Sequence, residues 1–415
     1  LPAGCSVEVD EQTYFDGNNT SIQIDPGTIS GKVTWGAPDY ISILMNGSVS
    51  VASGASLTVK PGSVIKIAQN SFLAVDGELI ASGTEDNPIF FTETRDDSVG
   101  GALPGDGSLP EAGWWRSINI RSEGSAVFDW CTIAYAGRSD GAAILKSGAG
   151  SLRISNSVLS HTSGDGLRLS SGYSSFEHFQ NEYSYNTIGV RLGINASFAD
   201  VTTRFEGNST DIQLDGGAIT GTVSWGSDGD YSMVITGDVS ISAGASLSIL
   251  PGTVIKFRQN NRILVYGSLE ALGEADLPIY FTDLRDDLVG GDANRDGGET
   301  SPAPGWWRSI GIMTDGTASF EHCMIRYAGY GDRCGVLKSS TGAVSITDTI
   351  IEKVAGDGFR ADNAAGGAKI GRSTFSENSE AGLNCRTDGV SVEESVFVSN
   401  DTGVRTVANA SLILD

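Results

Sequence analysis

The sequence is short of positive charge, of histidine and methionine, and of long apolar runs. Against 51 acidic residues it sets 27 basic ones, giving a net charge of −24, and its 415 residues include only three His and four Met. A surface of that sign repels nucleic acid and anionic membranes, so neither is expected as a partner. Divalent cations are the natural counterions. No apolar run approaches the roughly 18 to 20 residues that span a bilayer. The chain begins at Leu1 and not at Met, which is expected of a processed product or a fragment. Its five cysteines, Cys5, Cys131, Cys323, Cys334 and Cys385, are an odd number. Cys131 and Cys323 hold equivalent repeat positions and read as buried thiols. Cys5 and Cys385, one near each end, are candidates for cross-links between subunits in an oxidising compartment, and the pairing stays open.

Glycine, by contrast, is abundant, at 55 residues, among many Ser, Thr, Val and Ile, which describes a β-rich chain with many turns. The chain is also written twice. "YFDGNNTSIQIDPGTISGKVTWG" (14–36) returns as "RFEGNSTDIQLDGGAITGTVSWG" (204–226), "PGSVIKI" as "PGTVIKF", and "WWRSINI" as "WWRSIGI". The expected organisation is a first module over 1–195 with a loop insertion at 93–114, and a second over 196–415 with an insertion at 283–306. The second module is expected to carry one extra coil, because "NTIGVRL" and "NDTGVRT" are offset by 214 residues while earlier landmarks are offset by 190 to 192.

Inside each module runs a finer period. "FDWCTI" (128), "ISNSVL" (154), "FEHCMI" (320), "ITDTII" (346), "IGRSTF" (370) and "VEESVF" (392) recur every 22 to 26 residues. Each unit reads as short strand, turn, short strand, turn, with Gly or Asn expected wherever the backbone needs positive φ. One such coil cannot bury its own apolar face, but stacked coils bury it as a continuous column. The fold class that follows is all-β, a right-handed parallel β-helix of about 15 to 17 coils.

The phrases "ASLTVKPGSVIKI…FLAVDGELIASGTEDNPIFFT" and "ASLSILPGTVIKF…ILVYGSLEALGEADLPIYFT" resemble the secreted or surface right-handed parallel β-helix proteins of bacteria and archaea, the pectate-lyase-like solenoids. The resemblance covers nearly the whole chain. It implies the fold and an extracellular or cell-surface location, but not an activity, because this fold hosts lyases, hydrolases, adhesins and structural proteins.

Two stretches carry chemistry. In "RDDLVGGDANRDGGETSPAPGWW" (285–307), Asp292, Asn294 and Asp296 before Gly297 form D-x-N-x-D-G, similar to the first half of the calcium loop of EF-hands, dockerins and thrombospondin type 3 repeats. Calcium takes six to eight hard oxygens at about 2.3 to 2.6 Å, and carboxylates on alternate residues before a sharp Gly turn converge on one point. The bidentate Glu of an EF-hand is absent here, so Asp286 and Asp287 at the base of the loop are the candidate further ligands, with Asp283 behind them. The shorter twin at 95–115 keeps only Asp96, Asp97 and Asp106, a candidate site with fewer donors. The plain alternative for both is a solvated acidic loop. Each loop ends in a Trp pair, Trp114 with Trp115 and Trp306 with Trp307, expected to anchor the insertion on the coil wall; stacking on sugar rings is the other reading.

Glycosidases need two carboxylates about 5 to 9.5 Å apart. Asp165 and Asp357, in "GDG" with Arg168 and Arg360 nearby, superficially offer such groups, but they fall at the same turn as "TIG" and "DTG" in other coils, where turn chemistry explains them. His178 and His322 lie in strand segments. N-x-S/T triplets at Asn18, Asn19, Asn46, Asn195, Asn208, Asn400 and Asn409 are potential glycan acceptors in a secreted chain. The phase of "SVEVD", "ASFAD" and "NASLILD" repeats at both ends and the middle, which suggests head-to-tail stacking of copies. The expected function is therefore an extracellular, calcium-stabilised structural or adhesive surface protein, not an enzyme, that self-associates end to end into filaments. The alternative is a polysaccharide-active lyase or glycoside hydrolase, or a carbohydrate-binding β-helix.

Overall fold

The computed structural model describes residues 1–415 except 17, 19, 104–106, 171–175, 201, 227–229, 408–411 and 415, and only the backbone of residue 414. Among the described residues there is no helix, every strand pairing is parallel, and the chain winds as a β-solenoid of about 16 turns. It divides into two compact units, residues 1–191 with 202–211, and 192–201 with 212–415.

In unit 1 three parallel sheets wrap one core, because each strand pairs with the third strand after it. The first sheet runs Val7–Glu8, Lys32–Gly36, Ser56–Val59, Glu78–Ser82, Ser125–Asp129, Leu152–Ser155 and Phe176–Phe179. The second starts at Ile22–Ile24 and ends at Arg204–Glu206. The third includes Gly27–Ile29, Val49–Val51, Leu73–Val75, Ile118–Ile120, Ala142–Lys146 and Asp165–Leu169. Unit 2 repeats the arrangement, with sheets running from Phe198–Ala199 to Leu412–Leu414, from Gly217–Ile219 to Thr402–Thr406, and from Ser232–Ile235 to Val396–Val398.

The register explains the sequence period. Ala126 lies opposite Leu152 and Leu152 opposite Phe176; in unit 2 Val344, Ala368 and Val390 stack in the same way. Like side chains therefore fall on like side chains, and Phe128, Ile154, Phe320 and Ile346 are all buried. Removing each from water contributes about 1.5–3 kcal/mol, which no isolated coil could collect.

The corners depart from expectation. A single residue in the left-handed region turns the chain between strands, and it is often neither Gly nor Asn: Trp130 (φ 50°), Tyr135 (63°), His161 (53°), His322 (47°) and Arg372 (47°) all adopt it. Such a conformation costs a residue with a Cβ about 1–2 kcal/mol. The hydrogen-bonded strands on either side impose it, so the corner tolerates any side chain that can point outward. Inside other corners asparagines stack: Asn186 donates its amide to Asn208 Oδ1 at 3.1 Å, and Asn378 to Asn400 Oδ1 at 2.8 Å.

These ladders bear on the sequons. Asn208, 1 % exposed, donates to the Tyr183 carbonyl at 2.8 Å, Asn400 donates to Phe375 O and Asn195 to Ala218 O, whereas Asn18 and Asn46 are exposed. Asn19 and Asn409 lie outside the described residues. All five thiols are free. Cys131 and Cys323 are buried, each turned onto a backbone carbonyl (Ala81 and Ala271, both at 3.3 Å). Cys385 is also buried, and burial pushes its thiol up to about 12, which places it out of reach of a partner subunit in the folded state.

Candidate metal centre

The insertion of unit 2 leaves the solenoid after strand Ile279–Asp283 and returns at Ile310–Thr314. Its two ends are tied together by Asp283, a fully buried carboxylate. Asp283 Oδ2 accepts from the Arg285 guanidinium at 2.6 Å and from the backbone N–H of Ala303 at 3.1 Å, twenty residues along the chain. The Arg285 guanidinium in turn lies 3.7 Å from the centre of the Trp306 ring. Unit 1 repeats the device: Glu93 accepts from Arg95 and from the Glu111 N–H, and Arg95 lies 3.7 Å from the Trp114 ring centre. The second Trp of each pair, Trp115 or Trp307, is fully buried and donates its indole N–H to Ala134 O or Arg326 O at 2.8 Å. Trp307 also stacks on Phe257 at 4.2 Å. The Trp pairs are packing residues.

On that base the acidic residues separate into two roles. Asp286 points inward and is fully buried. Its Oδ2 accepts from Thr282 Oγ1 and forms an ion pair with the Arg326 guanidinium, both at 2.5 Å, while its Oδ1 has no hydrogen-bond partner. It pins the loop to the wall.

Asp287, Asp292 and Asp296 each place an oxygen within 4.8 Å of the other two. An ion held at about 2.4 Å spans that distance between opposed ligands. The buried Oδ1 atoms of Asp287 and Asn294 have no hydrogen-bond partner. Asn294 is oriented by its own amide, which donates to Asp296 Oδ2 at 2.8 Å and to Thr300 Oγ1 at 3.1 Å, leaving Oδ1 as the unused acceptor. The turn is fixed by the carboxylates themselves: Asp292 Oδ2 accepts from Gly297 N at 2.9 Å, and Asp296 Oδ1 from Gly298 N at 2.8 Å. Gly290 and Gly291 (φ 61° and 69°) bring the chain over the wall, where a Cβ at Gly290 would come within 2.9 Å of the Val254 side chain.

The electrostatics match that geometry. Burial raises the pKa of Asp287, and the neighbouring Asp292 pushes it the same way; Asp296 is held low, chiefly by the Thr300 hydroxyl. Three carboxylates and an orphaned amide oxygen, with only hard oxygen donors, fit calcium and not a softer metal. These four side chains would hold it, with backbone carbonyls and water completing the shell. Its chemistry there would be charge neutralisation and loop closure.

Unit 1 is arranged differently. Asp96 has both oxygens engaged, Oδ2 by Thr92 Oγ1 at 2.6 Å and Oδ1 by Ser98 Oγ at 2.5 Å, and Asp97 is exposed. Asp106 lies outside the described residues. The described carboxylates of this insertion do not converge. One other mixed cluster, Glu321 with His322 and Asp348, has Asp348 already bound by Arg372 through both oxygens at 2.9 and 2.6 Å.

Lys256, in "PGTVIKF", was missed by sequence reasoning. It is fully buried because the insertion lies over it, and it donates to the Gly291 carbonyl at the edge of the acidic loop; Lys66 does the same to Gly101 O. Burial pushes the Lys256 pKa down to about 8, while Asp286, Asp287 and Asp292 pull it up. A base depressed in the folded state makes stability rise with pH once the folded form has released its proton and the unfolded form has not. The window is therefore about pH 8 to 10.5. The buried thiols, raised by burial, act in the opposite sense from about pH 9 upward but are common to wild type and variant. In chelated protein the stability of wild type relative to Lys256→Met is therefore expected to rise by up to about 3 kcal/mol across the window. Denaturant titrations at both ends of the window measure it; an identical pH dependence in the two proteins would contradict the assignment.

Asp165 and Asp357 are both buried. Asp165 pairs with Arg168 at 2.5 Å, and Asp357 accepts from Ala381 N and from the Asn384 amide. The fold and site thus define a parallel β-solenoid in which, among the described residues, one insertion brings together an oxygen-only acidic set. Comparison of the chain with protein-family models, curated proteins and solved structures finds no match.

Proposed function

We propose that the chain is an extracellular structural or adhesive protein in which calcium closes the unit 2 insertion against the solenoid wall. The observation that carries this reading is the convergence of Asp287, Asp292 and Asp296, with the buried, unpartnered Oδ1 atoms of Asp287 and Asn294 among them. The metal in this reading is structural. A polysaccharide-active role has less support, since Asp165 and Asp357 are engaged by neighbours that fix their turns.

End-to-end self-association belongs to the proposal. Val396, Val398 and Ile413 on the last strands are 53, 47 and 57 % exposed, and one more parallel coil, from a second copy or from further chain, would cover them. The test is calorimetric titration of the chelated full chain with calcium, followed by electron microscopy with and without the metal. Saturable binding, with a rise in melting temperature, supports the calcium reading, and filaments support self-association. No heat at millimolar calcium, or single particles throughout, would remove the corresponding part.

A further inference from the structure

Beside the unit 1 insertion, away from the acidic loop of unit 2, lies a pocket of about 410 Å³ whose walls include Asp39, Tyr40, Asp86, Pro88 and Phe90. It opens into a hollow of about 590 Å³ that shares Asp39 and Tyr40 and adds Glu11. Tyr40 is 53 % exposed, yet its hydroxyl donates to the Glu11 carbonyl at 3.1 Å, so the ring is held in place as a wall. The side-chain carboxylates of Glu11, Asp39 and Asp86 have no hydrogen-bond or ion-pair partner among the described residues. The one lysine at the rim, Lys60, is paired with Glu8 at 2.5 Å. The site is therefore an aromatic and aliphatic slot with uncompensated negative charge at its mouth.

Unit 2 has a corresponding hollow of about 400 Å³, in which Asp276, Pro278 and Tyr280 stand where unit 1 has Asp86, Pro88 and Phe90.

We propose that this pocket binds an arginine or lysine side chain presented by an extended basic segment of a partner protein. The aliphatic stem would lie against Tyr40, Pro88 and Phe90, and the charged head would meet Asp39 and Asp86, the combination that charge-assisted hydrogen bonds and cation–π contact favour.

The test is fluorescence anisotropy of the full chain with a labelled peptide of alternating glycine and arginine, at physiological ionic strength, with the citrulline version as the neutral control. Binding of the arginine peptide alone is expected, weakened about tenfold by Asp86→Asn and by Tyr40→Ala. Glu270→Gln, an equal charge change on an exposed strand position of unit 2, should change it less than twofold. Equal weakening by Glu270→Gln would reduce the effect to bulk charge and overturn the proposal. So would an unaltered affinity in both pocket variants, or tighter competition by chitotetraose, which would assign the pocket to a sugar.

Discussion

Asp292→Ala is expected to weaken calcium binding by about a hundredfold or more, about 2.7 kcal/mol, with no comparable effect from Asp97→Ala. Asp292 has two tasks that alanine abolishes together. It supplies one of three converging carboxylates, and affinity in such loops follows the count of ligand charges. It also holds the turn, accepting from Asp296 N at 3.3 Å and Gly297 N at 2.9 Å, so its loss disorders the remaining ligands. Asp97, exposed and away from any convergent set, does neither. Limited trypsin digestion reads the same event independently. Arg295 is exposed in the middle of the loop, and cleavage there should be slow in calcium and fast after chelation or in Asp292→Ala. Wild-type affinity in Asp292→Ala, or cleavage at Arg295 indifferent to calcium, would show that the loop is not the metal site.

The second large effect is expected at Arg326. Its guanidinium contacts Asp286 at 2.5 Å where the carboxylate is fully buried, so Arg326→Met leaves a buried negative charge without its ion-pair partner, held by the Thr282 hydroxyl alone. Breaking a buried pair from one side costs about 3–5 kcal/mol, and in a unit of this size that lowers the melting temperature by roughly 10 °C. The double variant Arg326→Met with Asp286→Asn should recover most of the loss, because the penalty belongs to the orphaned charge and not to the missing pair. A single variant that melts within a degree or two of wild type would mean that water already reaches Asp286. Unit 1 meets the same need with Thr92 and Ser98 around Asp96, so Ser98→Ala should cost far less.

The rungs were legible in the sequence because a coil that stacks on its neighbour must place like residues at like positions. "FDWCTI" and "ISNSVL" announce the pairing of Phe128 with Ile154 directly. The corners were not legible. Trp130 and His322 stand where local preference asks for Gly or Asn, and only the strands on either side explain their positive φ. Within the site, the spacing of Asp292, Asn294 and Asp296 pointed to convergence, since alternate residues before Gly297 can meet without help from elsewhere. Asp286 looked like another ligand because its partner is remote in sequence: Arg326 belongs to a neighbouring strand, and no local pattern joins the two. Lys256 was hidden for a related reason. Its place in the strand faces outward, and it is buried only because the insertion closes over it.

The carboxylate at the root of each insertion has a further consequence. Glu93 and Asp283 join the outgoing chain to the returning one 18 and 20 residues later, and the first part of each ring, up to Gly101 and Gly291, is held on the wall by its own contacts. Lengthening a ring of that kind adds little closure entropy, since each doubling costs only about 0.6 kcal/mol. Each insertion is therefore a natural cassette. Foreign sequence spliced between Gly101 and Ser108 would be displayed at a fixed place on the wall, while the clamp of Glu93, Arg95 and Trp114 keeps the coils beneath it in register.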